Sequence, residues 1–334
     1  MMTRALNGGR ATRSFSPDAR WCVCVAILAL APTLTGSSYV LNVGSLALAF
    51  AVLATSLNLI FGFTGLLSFA QIGFWGVGAY VAAIAAADYG LSPWLAFVVG
   101  GAFTGVLAIL VGIPALRVSR ASFVIVSLSF TLLATLLSRS WIDVTRGPLG
   151  IPGLPAPSIT IGDKLLLDGH DPLTFYCIML GFAALALGVI FALIRSPIGR
   201  ILLATNQNEA LARSQGINVK HYQLLAFSVA AAFSGMTGGL YIFHLGIVDP
   251  SIFDTYYSEM LLIIVILGGA GNFWTVIVAA FVLTAVPELL RFDPELRLVM
   301  FGAVLVGAAL VLPGGFGGYL REANLKRWRK EVRP

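Results

Sequence analysis

Long apolar blocks follow one another along this chain, and none alternates at the two-residue period of a barrel strand. Each is close to the ~20 residues that a helix needs to cross a bilayer. The pattern predicts spans over 39–61, 66–87, 93–116, 121–138, 173–194, 223–247, 273–290 and 296–312. A shorter apolar run at 21–31 continues weakly to 36, and another at 260–267 is stopped by Gly268-Gly269-Ala270-Gly271. The expected fold is therefore all-α, a polytopic transmembrane bundle of about ten spans, or nine if the first is removed as a leader. Pro32 would be an unfavourable first residue after cleavage at Ala29-Leu30-Ala31, so the first span is expected to stay.

One block breaks this pattern. Residues 195–222 (RSPIGRILLATNQNEALARSQGINVKHY) are polar yet flanked by apolar segments. The part from Gly199 to Ala212 has no proline and is rich in helix formers, and Gly216 stands where a C-cap glycine belongs. A short helix here suits either docking or a plain solvated connection. The 62–80 stretch is different again, dense in Gly73, Gly76 and Gly78. It suits close helix packing, or a pathway lining in which Asn58, Thr64, Ser68 and Gln71 take part.

Composition supports the membrane reading. The 334 residues are 58% hydrophobic and only 11% charged, with mean hydropathy +0.91, where soluble domains carry about 25% charged residues. The net charge of +6 is concentrated. Arginines fill the lead 1–20, basic residues fill the tail 319–334, and Arg117 and Arg120 mark a corner between two spans. By the positive-inside rule these and the polar block are cytoplasmic, both termini included. The basic ends thus speak for a membrane orientation, not for nucleic acid. The 139–172 connection and an acidic patch at Asp249, Asp254 and Glu259 fall outside. Cys22, Cys24 and Cys177 lack metal-ligand spacing and read as small buried hydrophobes. His170, His221 and His244 lie far apart without paired carboxylates, and no phosphate-binding loop is present. No catalytic constellation, metal site or cofactor is expected, so the chain reads as a non-enzyme. His244 and Glu288 sit near span ends, where an interfacial role is the default.

The polar block resembles the ATPase-coupling loop of ABC importer permeases. Its form, GRILLATNQNEALARSQGIN from Gly199, is similar to that of branched-chain amino-acid permeases. Three further stretches agree: NLIFGFTGLLSFAQIGFWGVGAY from Asn58, LGGAG from Leu267, and LPGGFGG from Leu312 before the basic tail. The resemblance covers about 40–318, within a permease domain of 21–318. It identifies an M-type membrane subunit of the high-affinity branched-chain amino-acid ABC importers, a family whose members also carry urea, short amides and other amino acids.

That resemblance implies an inner-membrane complex with a second, H-type permease, two cytoplasmic ATPases and a periplasmic binding protein. It places Gly199, Arg200, Asn208, Glu209, Ala210, Ala212, Gly216 and Ile217 in the coupling loop. Two departures stand out there. Glu209 precedes Gly216 by seven residues where importers usually have six, and Leu211 replaces the usual second alanine. Arg146-Gly147-Pro148 stands where the family often has threonine-glycine-glycine. Arg200 and Arg213 are expected either to meet acidic groups of the ATPase or to face solvent. The rival reading is a stand-alone channel or ion-coupled carrier.

Overall fold

A computed structural model describes residues 17–161 and 164–289. Its helices are α1 (Pro17–Thr35), α2 (Ser38–Thr64), α3 (Ala70–Ala87), α4 (Pro93–Ala115), α5 (Arg120–Ser140) and the single turn α6 (Ile142–Thr145). They continue with α7 (Pro172–Arg195), α8 (Pro197–Gln207), α9 (Glu209–Ser214), α10 (Val219–Leu245), α11 (Thr255–Gly268) and α12 (Phe273–Leu289). Seven segments are long and apolar enough to cross a membrane, and two shorter apolar helices lie at Trp21–Leu34 and Phe273–Ala285. The fold is thus the expected helical membrane bundle, with fewer full-length spans than ten among the described residues. The span expected at 296–312, the LPGGFGG stretch and both basic ends lie outside those residues, as does the side chain of Glu288.

α2 is the hub. Its residues are buried almost without interruption from Ala47 to Leu57, and α7, α10, α11 and α12 pack around it. α3, α4 and α10 form the second tight group. Apolar burial gives little net drive where lipid is the alternative solvent, so small residues and polar bridges join these helices. A Cβ at Gly78 would overlap the Gly235 backbone of α10. Thr104 Oγ1 donates to the Ala231 carbonyl at 3.1 Å, and Ser228 Oγ to the Gly105 carbonyl at 3.0 Å. Gln71 Nε2 donates to Ser234 Oγ at 3.0 Å. The packing reading of the glycine-rich stretch therefore describes this arrangement.

The connection after α5 is more ordered than a polar loop. β1 (Ile151–Pro152) pairs antiparallel with β4 (Ile247–Val248), joining it to the end of α10. β2 (Ile159–Ile161) and β3 (Lys164–Leu167) form a hairpin. At the same end Arg146 meets Asp88 at 3.0 Å. His244 stacks on Phe175 at 4.2 Å and shares a hydrogen bond with Asn42 at 3.1 Å. It sits in the last turn of α10, at the span end where it was expected, and packing holds its ring.

The cysteines also depart from expectation. Cys22, Cys24 and Cys177 are all exposed. The outside of a membrane protein is itself apolar, so apolar surroundings in sequence do not mean an interior position. α1 nonetheless belongs to the bundle. Ala29 is buried, its carbonyl accepts from the Tyr176 hydroxyl, and Pro32 lies against Gly44.

Candidate coupling site

The polar block forms two helices, where one was expected. α8 and α9 are separated by Asn208, whose extended backbone (φ −156°, ψ 100°) ends the first and starts the second. Its side chain accepts the Leu211 N–H at 3.0 Å, an N-cap that asparagine is suited to make. α8 has its own cap, Ser196 Oγ accepting from the Ile198 N–H at 3.1 Å. α9 closes on Gly216 at φ +81°. There the Ile217 N–H reaches the Ala212 carbonyl and the Gly216 N–H the Arg213 carbonyl, at 3.2 and 3.0 Å. Those two bonds are the paired C-terminal pattern that needs a left-handed residue. The expected C-cap role of Gly216 is therefore seen.

Gly216 has open space around its α-carbon, so a substitution there meets backbone strain and not a clash. Gly216→Val is expected to cost about 1–2 kcal/mol and to loosen the C-terminal turn of α9. Gly216→Asn, which tolerates this conformation, should stay near native. The check is the thermal stability and amide hydrogen exchange of the two purified variants measured side by side.

The helix pair is held to the bundle by its inner face. Leu202, Thr205 and Ala212 are buried, and Gly199 sits against the last turn of α7. Asn206 Nδ2 donates to the Gly62 carbonyl in the last turn of α2 at 2.9 Å. Arg120, at the start of α5, donates to the Thr205 carbonyl at 3.3 Å and lies 3.8 Å from Glu209. Glu209 also pairs with Arg213 at 2.6 Å, one turn along α9. Arg213 thus answers a carboxylate of its own helix. Beside them is a cavity of about 370 Å³ lined by Arg117, Arg120, Arg213 and Lys220, with Glu209 its one carboxylate. The outer face is open. Arg200, Asn208 and Ala210 are exposed, and so are Leu203 and Leu211 at 42% and 59%.

The four polar residues singled out near the glycines are fully buried. Asn58 Oδ1 accepts the Gly271 N–H at 2.8 Å, and its Nδ2 donates to the Asn272 carbonyl at 3.1 Å. It therefore holds the glycine break between α11 and α12, where Gly269 and Gly271 have φ +90° and +85°. Thr64 bonds back to the Ile60 carbonyl at 2.6 Å. The chain between α2 and α3 is not helical, so the third span starts at Ala70 and not at residue 66. Ser68 lies in that stretch and accepts the Ala70 N–H at 3.2 Å.

Sequence reasoning missed Asn206 and Arg120 as partners of this site. Asn206 had no signal beyond a polar TNQNE run. Arg120 had one, its place in a basic corner on the same predicted side.

A family described as "Branched-chain amino acid transport system / permease component" matches residues 39–309. Among curated proteins, the chain is 31% identical over 311 residues to the "High-affinity branched-chain amino acid transport system permease protein LivM" of Escherichia coli K12, covering 88% of this chain and 73% of that protein. It is also 31% identical over 292 residues to the protein of the same description from Salmonella typhimurium LT2, covering 82% and 69%. No solved structure matches it.

Proposed function

Because this chain belongs to the family of branched-chain amino acid transport permeases, we propose that it is the membrane subunit of an ATP-driven importer whose ATPases dock on α8 and α9. The observation that carries the reading is the two-sided character of that helix pair. Its inner face is bonded to α2 and α5, while its outer face presents Leu203, Leu211 and Arg200 to a partner. A merely solvated connector has no need of two caps, a closed C-terminus and exposed leucines on a fixed frame.

The complex sits in a bacterial inner membrane with α8, α9 and both chain ends in the cytoplasm. Two ATPases lie beneath, a second H-type permease completes the pathway, and a periplasmic binding protein delivers leucine, isoleucine or valine. The permease itself hydrolyses nothing. When nucleotide closes the ATPases, α8 and α9 move with the groove in which they sit. Asn206 passes that movement to the Gly62 turn of α2, and Asn58, one turn further in, passes it to the glycine break between α11 and α12. This is a two-state change biased by a ligand bound elsewhere. Asn58, Thr64, Ser68 and Gln71 reach the pathway only when this closed packing opens.

The test is reconstitution. The tagged chain is purified with its associated subunits and placed in liposomes with the binding protein and radiolabelled leucine. Uptake is expected only with internal ATP. Uptake by the chain alone, driven by an ion gradient, would replace this account with the carrier reading.

A further inference from the structure

At the end of the bundle opposite α8 lies a second small cavity, of about 70 Å³. It exceeds the ~10–15 Å³ that admits one water. Trp75 of α3, Tyr241 of α10 and Tyr257 of α11 line it with Asp249, and Leu46 and Ile252 complete its wall. The Trp75 ring stacks near Tyr257 at 5.9 Å and meets Tyr241 edge-on at 5.8 Å, which makes an aromatic corner. Two observations mark it as more than packing. Trp75 is 2% exposed, yet its indole N–H has no hydrogen-bond partner among the described residues. A buried indole N–H ordinarily finds one. Asp249 makes no salt bridge among the described residues. Its Oδ1 accepts the Ser251 N–H at 2.7 Å, and its second oxygen accepts no hydrogen bond among the described residues. The adjoining Val248 is locked to Ile151 in the β1–β4 ladder, so the carboxylate stands on a fixed frame.

We propose that this cavity receives the charged head of a zwitterionic α-amino acid entering the pathway, an assignment that rests on the importer reading above. Asp249 and the aromatic faces take the α-ammonium group, since a carboxylate and ring π-faces both attract a cation. The Trp75 indole N–H donates to the α-carboxylate. The branched side chain lies against Leu46 and Ile252. A solute without an ammonium group gives Asp249 no partner, so the site favours amino acids over neutral amides.

Substitutions can separate this role from structure. Asp249→Asn keeps the cap on the 250–253 turn, because asparagine caps as well as aspartate, and removes only the charge. Trp75→Phe keeps an aromatic ring in the corner and removes the N–H. Each is made in the whole complex, reconstituted with its binding protein, and leucine uptake is measured beside subunit recovery and binding-protein affinity. Saturation-transfer NMR then compares leucine with its des-amino analogue, 4-methylpentanoate, on the complex without binding protein. Asp249→Asn is expected to lower uptake and leucine contact roughly tenfold or more, with assembly and binding-protein affinity unchanged, and the des-amino analogue should give no contact on the native complex. Native complex that moves leucine alongside an equally active Asp249→Asn variant overturns this assignment alone, as does equal contact by the des-amino analogue. Native complex that moves no leucine overturns the importer reading and this assignment with it.

Discussion

Glu209→Lys is expected to leave the chain inserted in the membrane and to reduce ATP-driven uptake to a few per cent of native. Glu209 is the carboxylate that Arg213 and Arg120 share, at 2.6 and 3.8 Å. Neither contact is worth much in stability, because all three side chains are partly exposed and such pairs contribute about 0–1 kcal/mol. Their worth is positional. They set α9 against the start of α5, so that Leu211 faces outward in a fixed register. Lysine would stand among Arg117, Arg120, Arg213 and Lys220 with no carboxylate left in that cavity. It would also put a cation in the first turn of a helix, at a further cost of about 0.3–1 kcal/mol. The helix swings away from its frame while the spans, which do not depend on it, remain. The check is uptake beside membrane abundance and recovery of the ATPases. Native uptake by this variant would remove Glu209 from the account.

The second large effect falls on Asn58→Leu. Asn58 has no exposed surface, and its amide satisfies the Gly271 N–H and the Asn272 carbonyl. Leucine fills nearly the same volume but orphans both backbone groups, at about 1–3 kcal/mol each. Gly62 makes the site stricter, since a Cβ there would overlap Asn58 and the Gly271 backbone. Larger groups therefore have nowhere to move. The purified complex should melt several degrees lower, and uptake should fall further than the loss of folded protein explains, because the α11–α12 break is no longer tied to α2. A melting temperature and specific uptake equal to native would show that this tie does not matter.

How much of this was legible beforehand depends on distance along the chain. The spans were plain, because a bilayer demands long apolar blocks. The Gly216 cap and the 268–271 break were plain too, since glycine signals a positive φ locally. The division of the polar block at Asn208 was not read. Good helix formers dominate 199–212, and the sign of a break was an asparagine three residues before Leu211, ready to cap. The bond from Asn58 to Gly271 crosses 213 positions, and nothing in one sequence joins such partners. The Asn206–Gly62 tie is hidden in the same way. The cysteines misled for another reason, since apolar sequence cannot tell a core from a lipid-facing side when both are apolar.

On the proposed reading, an ATPase grips this permease at α8 and α9. The most direct measurement places a photo-crosslinking amino acid at the exposed position Leu211, irradiates membranes of cells making the whole transporter, and identifies the adduct by mass spectrometry. The account predicts one dominant adduct, an ABC ATPase subunit, lost when Glu209→Lys is added. An adduct with lipid alone, or with a protein that carries no ATPase motifs, would contradict it.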